Sequence, residues 1–393
     1  MNDSDWARRG RDSWMGGATR PDLVFASGHG SWLIDTDGLE YLDFVAGWAV
    51  CALGHADPAI VRVLETQASI LVHCSPGYWN PVAVQLAERL KAITGMDRVF
   101  LGTTGAEANE CAIKLARKWG ALRKGGAFRI VSTWKGFHGR SLATMAATGK
   151  PEWIDLFGPS PTGFVHVDFG DLDALDSVLD DSVCAILLEP VQGEGGVNAA
   201  SGDYLSGVRA LCDEHEVLLI ADEVQTGLGR CGTWLACDGL GVRPDIVTLG
   251  KGLGGGVPVS ACATRVDLDL FAPGDQGGTF TYHPLGSAVA LAVLDAIEER
   301  GLLANARDRG VQIGQILSNL AADHGLRNLR GTGLLRAFDL PGESAPDLVI
   351  AARKAGLLLN SPRPGTIRLC PALTMSESEV TEFGKRLESA LAG

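Results

Sequence analysis

Val217-Leu218-Leu219-Ile220-Ala221-Asp222 is the run from which the fold is read: unbroken apolar residues that end on a carboxylate. Nothing in it alternates, so the strand expected over Val217–Val224 has to be covered on both faces. That is the condition of a parallel sheet sandwiched between helices. Three further runs share this character: Phe128–Ser132, Val183–Glu189 and Asp245–Leu249, each rich in Val, Ile or Leu and bounded by Gly, Pro or Asp. Between them lie helical patterns. Ala108–Leu122 sets Ala108, Cys111, Ala112, Leu115, Ala116 and Trp119 on one stripe, and Tyr204–His215 does the same with Leu205, Val208 and Leu211. Strand and helix in alternation from about residue 100 to 263 predict an α/β fold with a mainly parallel central sheet.

The two ends of the chain read differently. Ser31–Phe44 alternates apolar and polar residues around Asp35-Thr36-Asp37-Gly38, the pattern of a small hairpin. After Ser287 come a long helix through Arg300, another over Val311–Ala322, and short strands near Leu334–Asp339 and Thr366–Leu369. These ends are expected to build a small α+β domain that closes over the large one. The expected division is 1–50 for an N-terminal arm and part of the small domain, 51–290 for the large domain and 291–393 for the rest of the small one. Met1–Arg20, polar and mixed in sign, reads as a loose surface arm.

Composition excludes several classes. The net charge of −13, with no cluster of Lys or Arg, gives no basic face for displacing counterions from nucleic acid. No apolar run approaches the roughly 20 residues of a membrane helix, and no leader precedes the body, so a protein of the cytoplasm is expected. The nine cysteines are scattered and form no CxxC pair, which points to buried free thiols rather than a zinc site or redox dithiol.

Four motifs fall at strand-to-loop junctions, where open α/β sheets keep their sites. Thr103-Thr104-Gly105-Ala106-Glu107-Ala108-Asn109 opens a helix. It is either an anion cradle of free N–H groups or a plain helix cap with Thr104 as the capping residue. Asp222, in Ala221-Asp222-Glu223-Val224-Gln225, is either a structural carboxylate or the partner of a protonated ring nitrogen. Leu249-Gly250-Lys251-Gly252-Leu253-Gly254-Gly255-Gly256 sets a lysine among glycines, where burial and neighbouring positive charge would make it a usable amine nucleophile. A phosphate-binding P-loop fails here, because Gly252 follows Lys251 where Ser or Thr is needed. Gly136-Phe137-His138-Gly139-Arg140 offers a ring for stacking and an Arg for a carboxylate, or else a surface turn with a solvated Arg. Anion cradle, stacking ring, buried acid and exposed lysine together favour pyridoxal 5′-phosphate (PLP).

With these motifs in this order, the chain resembles the class III (ω-amino acid) aminotransferases of PLP fold type I, from about Gly47 to Leu391. The resemblance also runs through Gly47-Trp48-Ala49-Val50, Ala52-Leu53-Gly54-His55 and Glu189-Pro190-Val191-Gln192-Gly193-Glu194-Gly195-Gly196. It implies that Lys251 carries PLP as a Schiff base and moves the substrate proton, and that Asp222 keeps the pyridine nitrogen protonated. It sets Gln225 near the phenolic oxygen, Val224 under one ring face and Phe137 on the other. Thr104, Gly105 and Ala106 would hold phosphate, with Thr279 of Gly278-Thr279-Phe280 reaching the phosphate of a second subunit in a homodimer. Arg140 and Arg368 are the implied carboxylate clamps. Glu194 is the implied switch that pairs with Arg368 while an ω-amino donor is bound and releases it for 2-oxoglutarate. The other account of Arg368 is a salt bridge that holds the small domain.

The implied reaction moves the ω-amino group of N-acetylornithine, or a close N-acylated analogue, to 2-oxoglutarate. Departures from the family pattern lie on the substrate side. Cys51 stands for the usual Asn, His73–Trp79 replaces a Thr-Ser-Asn-Leu-Tyr-Tyr pattern, Thr281–Pro284 replaces Gly-Gly-Asn-Pro, and Cys231 replaces a Thr. Thr103-Thr104 stands where Asn-Ser is usual and keeps a hydroxyl. The alternatives are another ω-aminotransferase acting on ornithine, a diamine or a dedicated intermediate, then an aminomutase, and last a binding protein that has kept the fold. No metal is called for.

Overall fold

The computed structural model describes residues 3–154 and 156–393. Its centre is a seven-stranded sheet in the order Arg98–Gly102, Ser260–Thr264, Ile246–Leu249, Leu218–Asp222, Val183–Leu188, Arg129–Thr133, Phe164–Val167. Every neighbouring pair is parallel except the two made by Ser260–Thr264, which is antiparallel on both sides. The strands Val183–Leu188 and Leu218–Asp222 are buried at every residue, as their unbroken apolar character requires. The second ends at Asp222 rather than Val224, because the Asp222 Oδ1 accepts the Val224 N–H at 3.1 Å and turns the chain.

Helices cover the sheet. Gly105–Arg123 begins three residues before the apolar stripe, since Thr104 caps it in a capping box with Glu107. Gly202–Glu214 is capped by Ser201. Leu302–His324 is longer at both ends than its apolar pattern, and Gly301 and Gly325, both left-handed, bracket it.

The chain ends meet away from the central sheet. Trp32–Asp35 and Glu40–Asp43 form the expected hairpin with Phe25–His29 outside it, and Leu357–Leu358 adds to Glu40–Asp43 in parallel. A second four-stranded sheet runs Arg327–Thr332, Leu335–Asp339, Thr366–Leu369, Asn360–Arg363, antiparallel throughout. Phe44 stacks on Phe383 of the last helix, Glu377–Ala392, with ring centroids 4.1 Å apart.

The N-terminal segment is a correction. Met1 and Asn2 lie outside the described residues, but Asp3–Ser13 is a helix and not a loose arm. No apolar stripe announces it; its support is charge at helical spacing, with Arg8 3.7 Å from both Asp5 and Asp12. Among the described residues no cysteine forms a disulfide, and seven of the nine are buried. Burial pushes the Cys184 and Cys212 thiols up to about 12. No helix of the described residues is long and apolar enough to cross a membrane.

The terminal elements lock onto the central body at Gly310, in the helix Leu302–His324. A Cβ at Gly310 would overlap the Gly333 carbonyl, and one at Gly333 would lie 2.6 Å from the Arg230 carbonyl. Arg230 is buried and donates to the Leu334 carbonyl at 3.1 Å and to that of Pro371. Gly310→Ala should therefore lower stability by about 1–3 kcal/mol, because the backbone it meets cannot step aside. The urea midpoint measures this, and an unshifted midpoint would show that the junction is not tightly packed.

Candidate active site

The four glycine-flanked motifs and Glu189-Pro190 all emerge at the C-terminal ends of the parallel strands, so the sheet brings them to one edge. Asp222 is buried at its centre. Its Oδ2 accepts from His138 Nδ1 and Asn109 Nδ2, both at 2.8 Å, and its Oδ1 accepts from Val224 N–H and, at 3.4 Å, from the Thr248 hydroxyl. Burial opposes charge on His138, but the bond and charge of Asp222 prevail and raise the ring's pKa. The other ring nitrogen, His138 Nε2, is buried without a partner among the described residues. Glu189 accepts the Phe137 N–H at 3.0 Å, and burial pushes its carboxyl above the usual range.

Lys251 opens a short 3₁₀ turn, Lys251–Gly254, beside the end of the strand carrying Thr248. Its amine is held below its ordinary pKa chiefly by burial and then by Arg368, with Glu194 the main opposing charge. An amine whose pKa is lowered in this way is more readily available as a nucleophile and base. Gly105 is needed where it stands: a Cβ there would lie 2.6 Å from Val224 Cγ1. Gly193 likewise makes room for the Gln225 amide.

At the start of the helix Gly105–Arg123 the Thr104 hydroxyl accepts the Glu107 N–H at 3.2 Å. The Glu107 carboxylate accepts the Thr103 and Thr104 N–H groups, at 2.6 and 3.0 Å. The Gly105 and Ala106 N–H groups have no acceptor among the described residues. Capping residue and anion cradle thus coexist: the cap satisfies its own donors and leaves two for a ligand. A phosphorylated pyridine fits this edge, with two unclaimed N–H groups, a buried carboxylate for its nitrogen and a half-buried lysine for its carbonyl carbon.

On the far side Arg368 is 2% exposed. Its Nη1 donates to Glu194 at 2.6 Å and to the Gln225 Oε1 at 3.4 Å, and its Nη2 donates to Asn360 Oδ1 at 2.7 Å. Burial works against charge on Glu194, but Arg368 outweighs it and keeps the carboxyl below its ordinary range. Arg140 is exposed, with its guanidinium 5.0 Å from the Trp153 ring and 6.0 Å from that of Phe137. Thr279 stands apart. It is exposed on the turn that packs on Leu101, and its carbonyl bonds His73 Nε2 at 2.8 Å. Sequence reasoning missed His138, Asn109, Thr248, Glu189 and Asn360. Three of these sit inside stretches already singled out, and Thr248 lies in a recognised strand.

Beside Lys251 the backbone does something unusual. Ala46, Gly47, Trp48 and Ala49 all have positive φ (46°, 63°, 63° and 64°), a left-handed turn in which three residues carry side chains. Each such residue costs about 1–2 kcal/mol, so the turn has to be held. Asp43 Oδ1 accepts the Val45 and Ala46 N–H groups, both at 2.9 Å, and Asp43 Oδ2 bonds His55 Nε2 at 2.9 Å. The chain leaving this turn runs beside the residue after the lysine: a Cβ at Gly252 would lie 3.5 Å from that of Ala52.

The family profile described as aminotransferase class-III matches residues 16–391. A protein of Bordetella bronchiseptica named acetylornithine aminotransferase 2 is 48% identical over 376 residues, covering 95% of each chain. The acetylornithine aminotransferase of Ralstonia nicotianae is 45% identical over 92% of each. Among solved structures, the ornithine aminotransferase of Toxoplasma gondii ME49 matches with a TM-score of 0.96 at 33% identity, covering 100% of this chain and 95% of that one. The acetylornithine aminotransferase of Elizabethkingia anophelis matches with 0.89 at 31% identity, covering 100% and 99%.

The Asp43–His55 pair sets a pH dependence. Asp43's hydrogen bond, with one from Cys51 and against burial, raises His55 from 6.5 to about 9. The folded state therefore favours the protonated ring, and its stabilisation is complete below about pH 6.5 and lost as pH rises through about 9. The stability gap between the native chain and His55→Gln should be widest near pH 6 and shrink by about pH 10. A gap that stays constant in urea titrations would show that the ring is not bound as the cation.

Proposed function

We propose that this chain, which belongs to the class III aminotransferase family and is a PLP-dependent transaminase, moves the ω-amino group of N-acetylornithine or a close N-acyl analogue to 2-oxoglutarate. The products are the semialdehyde and glutamate. The observation that carries the reading is the 2.6 Å Arg368–Glu194 pair beside the half-buried Lys251. An ω-amino donor brings an amine to that end of the site and needs no cation there. A dicarboxylate acceptor brings a second carboxylate and needs Arg368 exposed. A separable pair serves both without stranding a buried charge in either half-reaction.

In this reading each side chain has one task. Bound PLP supplies an electron sink that stabilises negative charge at the substrate's amine-bearing carbon. Lys251 Nζ would hold the cofactor, and the same amine would carry the proton to and from that carbon. Asp222, kept in place by His138, Asn109 and Thr248, would hold the pyridine nitrogen. Gly105 and Ala106 N–H groups, with the Thr104 hydroxyl, would take the phosphate. Val224 and Phe137 would enclose the ring, and Gln225 would serve its phenolic oxygen. Arg140, without an ion-pair partner among the described residues, takes the carboxylate common to both substrates.

The same reading makes the protein a cytoplasmic homodimer with shared sites, Thr279 serving the neighbour's phosphate. Trp79, 94% exposed, and the exposed Tyr78 and Phe280 are apolar surface that a second copy would cover. The division 1–50, 51–290 and 291–393 belongs to it as well, and position 290 lies inside the helix Pro284–Glu299. Unacylated ornithine is the second donor to weigh, because the Toxoplasma gondii ornithine aminotransferase has the higher of the two TM-scores.

The decisive experiment is the visible spectrum of the PLP-loaded protein with donor and no acceptor. N-acetylornithine should collapse the visible band, and adding 2-oxoglutarate should restore it. Collapse with ornithine alone would favour the second donor, and collapse with neither would refute both. Lys251→Ala should release the covalently held cofactor and lower turnover by at least about 100-fold. Turnover near the native rate would remove the lysine from the mechanism.

A further inference from the structure

The proposed exchange of substrates leaves one charge without a destination. When a dicarboxylate takes Arg368, Glu194 has to leave it, and the Glu194 side chain is only 26% exposed. A half-enclosed carboxylate stripped of its partner resists that step unless another cation stands ready.

Lys150 is that cation. Backbone contacts bring the two residues' loops together: Gly195, next to Glu194, packs so closely on the Lys135 carbonyl that a Cβ there would lie 2.9 Å from it. The Lys135 N–H in turn donates to the Gly149 carbonyl at 2.8 Å, and Lys150 follows. One residue thus separates the two loops. Among the described residues the Lys150 ammonium has no carboxylate partner and no hydrogen bond. It rests over two ring faces, 4.5 Å from Trp153 and 5.5 Å from Phe137. Arg140 approaches the same rings, so both cations gather at them. Burial pushes the Lys150 amine down, Glu194 is the strongest charge holding it up, and Arg140 and Arg363 oppose.

We propose that Lys150 is the second partner of Glu194. When 2-oxoglutarate takes Arg368, the Glu194 carboxylate swings to the Lys150 ammonium, and it swings back when the ω-amino donor returns. A cation held only by ring faces loses little on receiving a carboxylate. In the structure the resting pair is closed at 2.6 Å, and while the donor is bound Lys150 has no part in it. Lys150 is therefore a positioning residue, acting on the acceptor through Glu194. The inference rests on the Glu194 switch proposed above.

The test is equilibrium binding of glutarate, a dicarboxylate without the reactive keto group, to the PLP-loaded enzyme by calorimetry. Lys150→Gln should weaken glutarate about fivefold or more, and Lys150→Arg should restore it. The Michaelis constant for the keto-acid acceptor should rise in step, while that for the amino donor stays where it is. In a Glu194→Gln background the Lys150→Gln effect should vanish, since no carboxylate remains to be received. A loss of equal size in that background would mean that Lys150 touches the acceptor directly, and no loss in the native background would mean that it plays no part; either overturns the proposal. Glu194→Gln alone should tighten glutarate by freeing Arg368. If it does not, the switch itself has failed, and the role of Lys150 falls with it.

Discussion

A carboxylate at the end of a strand buried on both faces has to be surrounded by donors, and the site is organised around meeting that demand at Asp222. Its hydrogen bonds come from a helix (Asn109), from the loop after Arg129–Thr133 two strands away (His138), from the adjacent strand (Thr248) and from its own turn (Val224). Bonds to a charged group contribute roughly 1.5–3 kcal/mol each, and an uncompensated buried charge is far worse than the loss of any one. Meeting the demand fixes everything next to the donors. Asn109 lies one turn into the helix whose first N–H groups remain unclaimed, His138 follows the Phe137 ring, and Thr248 stands three residues before Lys251.

The electrostatics of the pocket follow from that arrangement. Although the chain carries −13 overall, its site sets the buried Asp222 and Glu189 and the half-buried Glu194 against the half-buried Lys251 and the buried Arg368. Opposite charges at this depth are individually expensive and tolerable only in combination, so the removal of one changes what its neighbours prefer. Lys251 illustrates the balance: burial and Arg368 favour the neutral amine, while Glu194 and the two carboxylates behind it favour the ammonium. A movement of Glu194 therefore alters the lysine as well as Arg368.

The α/β architecture was legible because burial on both faces leaves a local trace, an unbroken apolar run such as Val183–Leu188. Lys251, Asp222 and the helix start at Gly105 were legible because each stands among small residues at a strand end. What could not be read were relations across distance. His138 looked like part of a turn until folding set it against Asp222, and Asn360 gives no local sign of bonding Arg368. Asp3–Ser13 escaped because it has no apolar stripe, and Ala46–Ala49 because three of its four left-handed residues are not glycine. The turn exists only because Asp43 and His55 hold it from outside.

The parallel pairing of Leu357–Leu358 with Glu40–Asp43 bears on how the protein is made. A chain emerging from the ribosome exposes the hairpin early, yet the strand that completes its sheet is roughly 300 residues away. At about 5–20 residues per second the wait is of the order of 15–60 s. Over that interval Leu42 and Phe44 lack the C-terminal strand and the Phe383 ring that bury them. The central sheet, whose strands all lie between Arg98 and Thr264, needs nothing from the last hundred residues to complete its ladder. Synthesis thus imposes an order in which the cofactor edge takes shape first and the layer carrying Arg368 closes over it last.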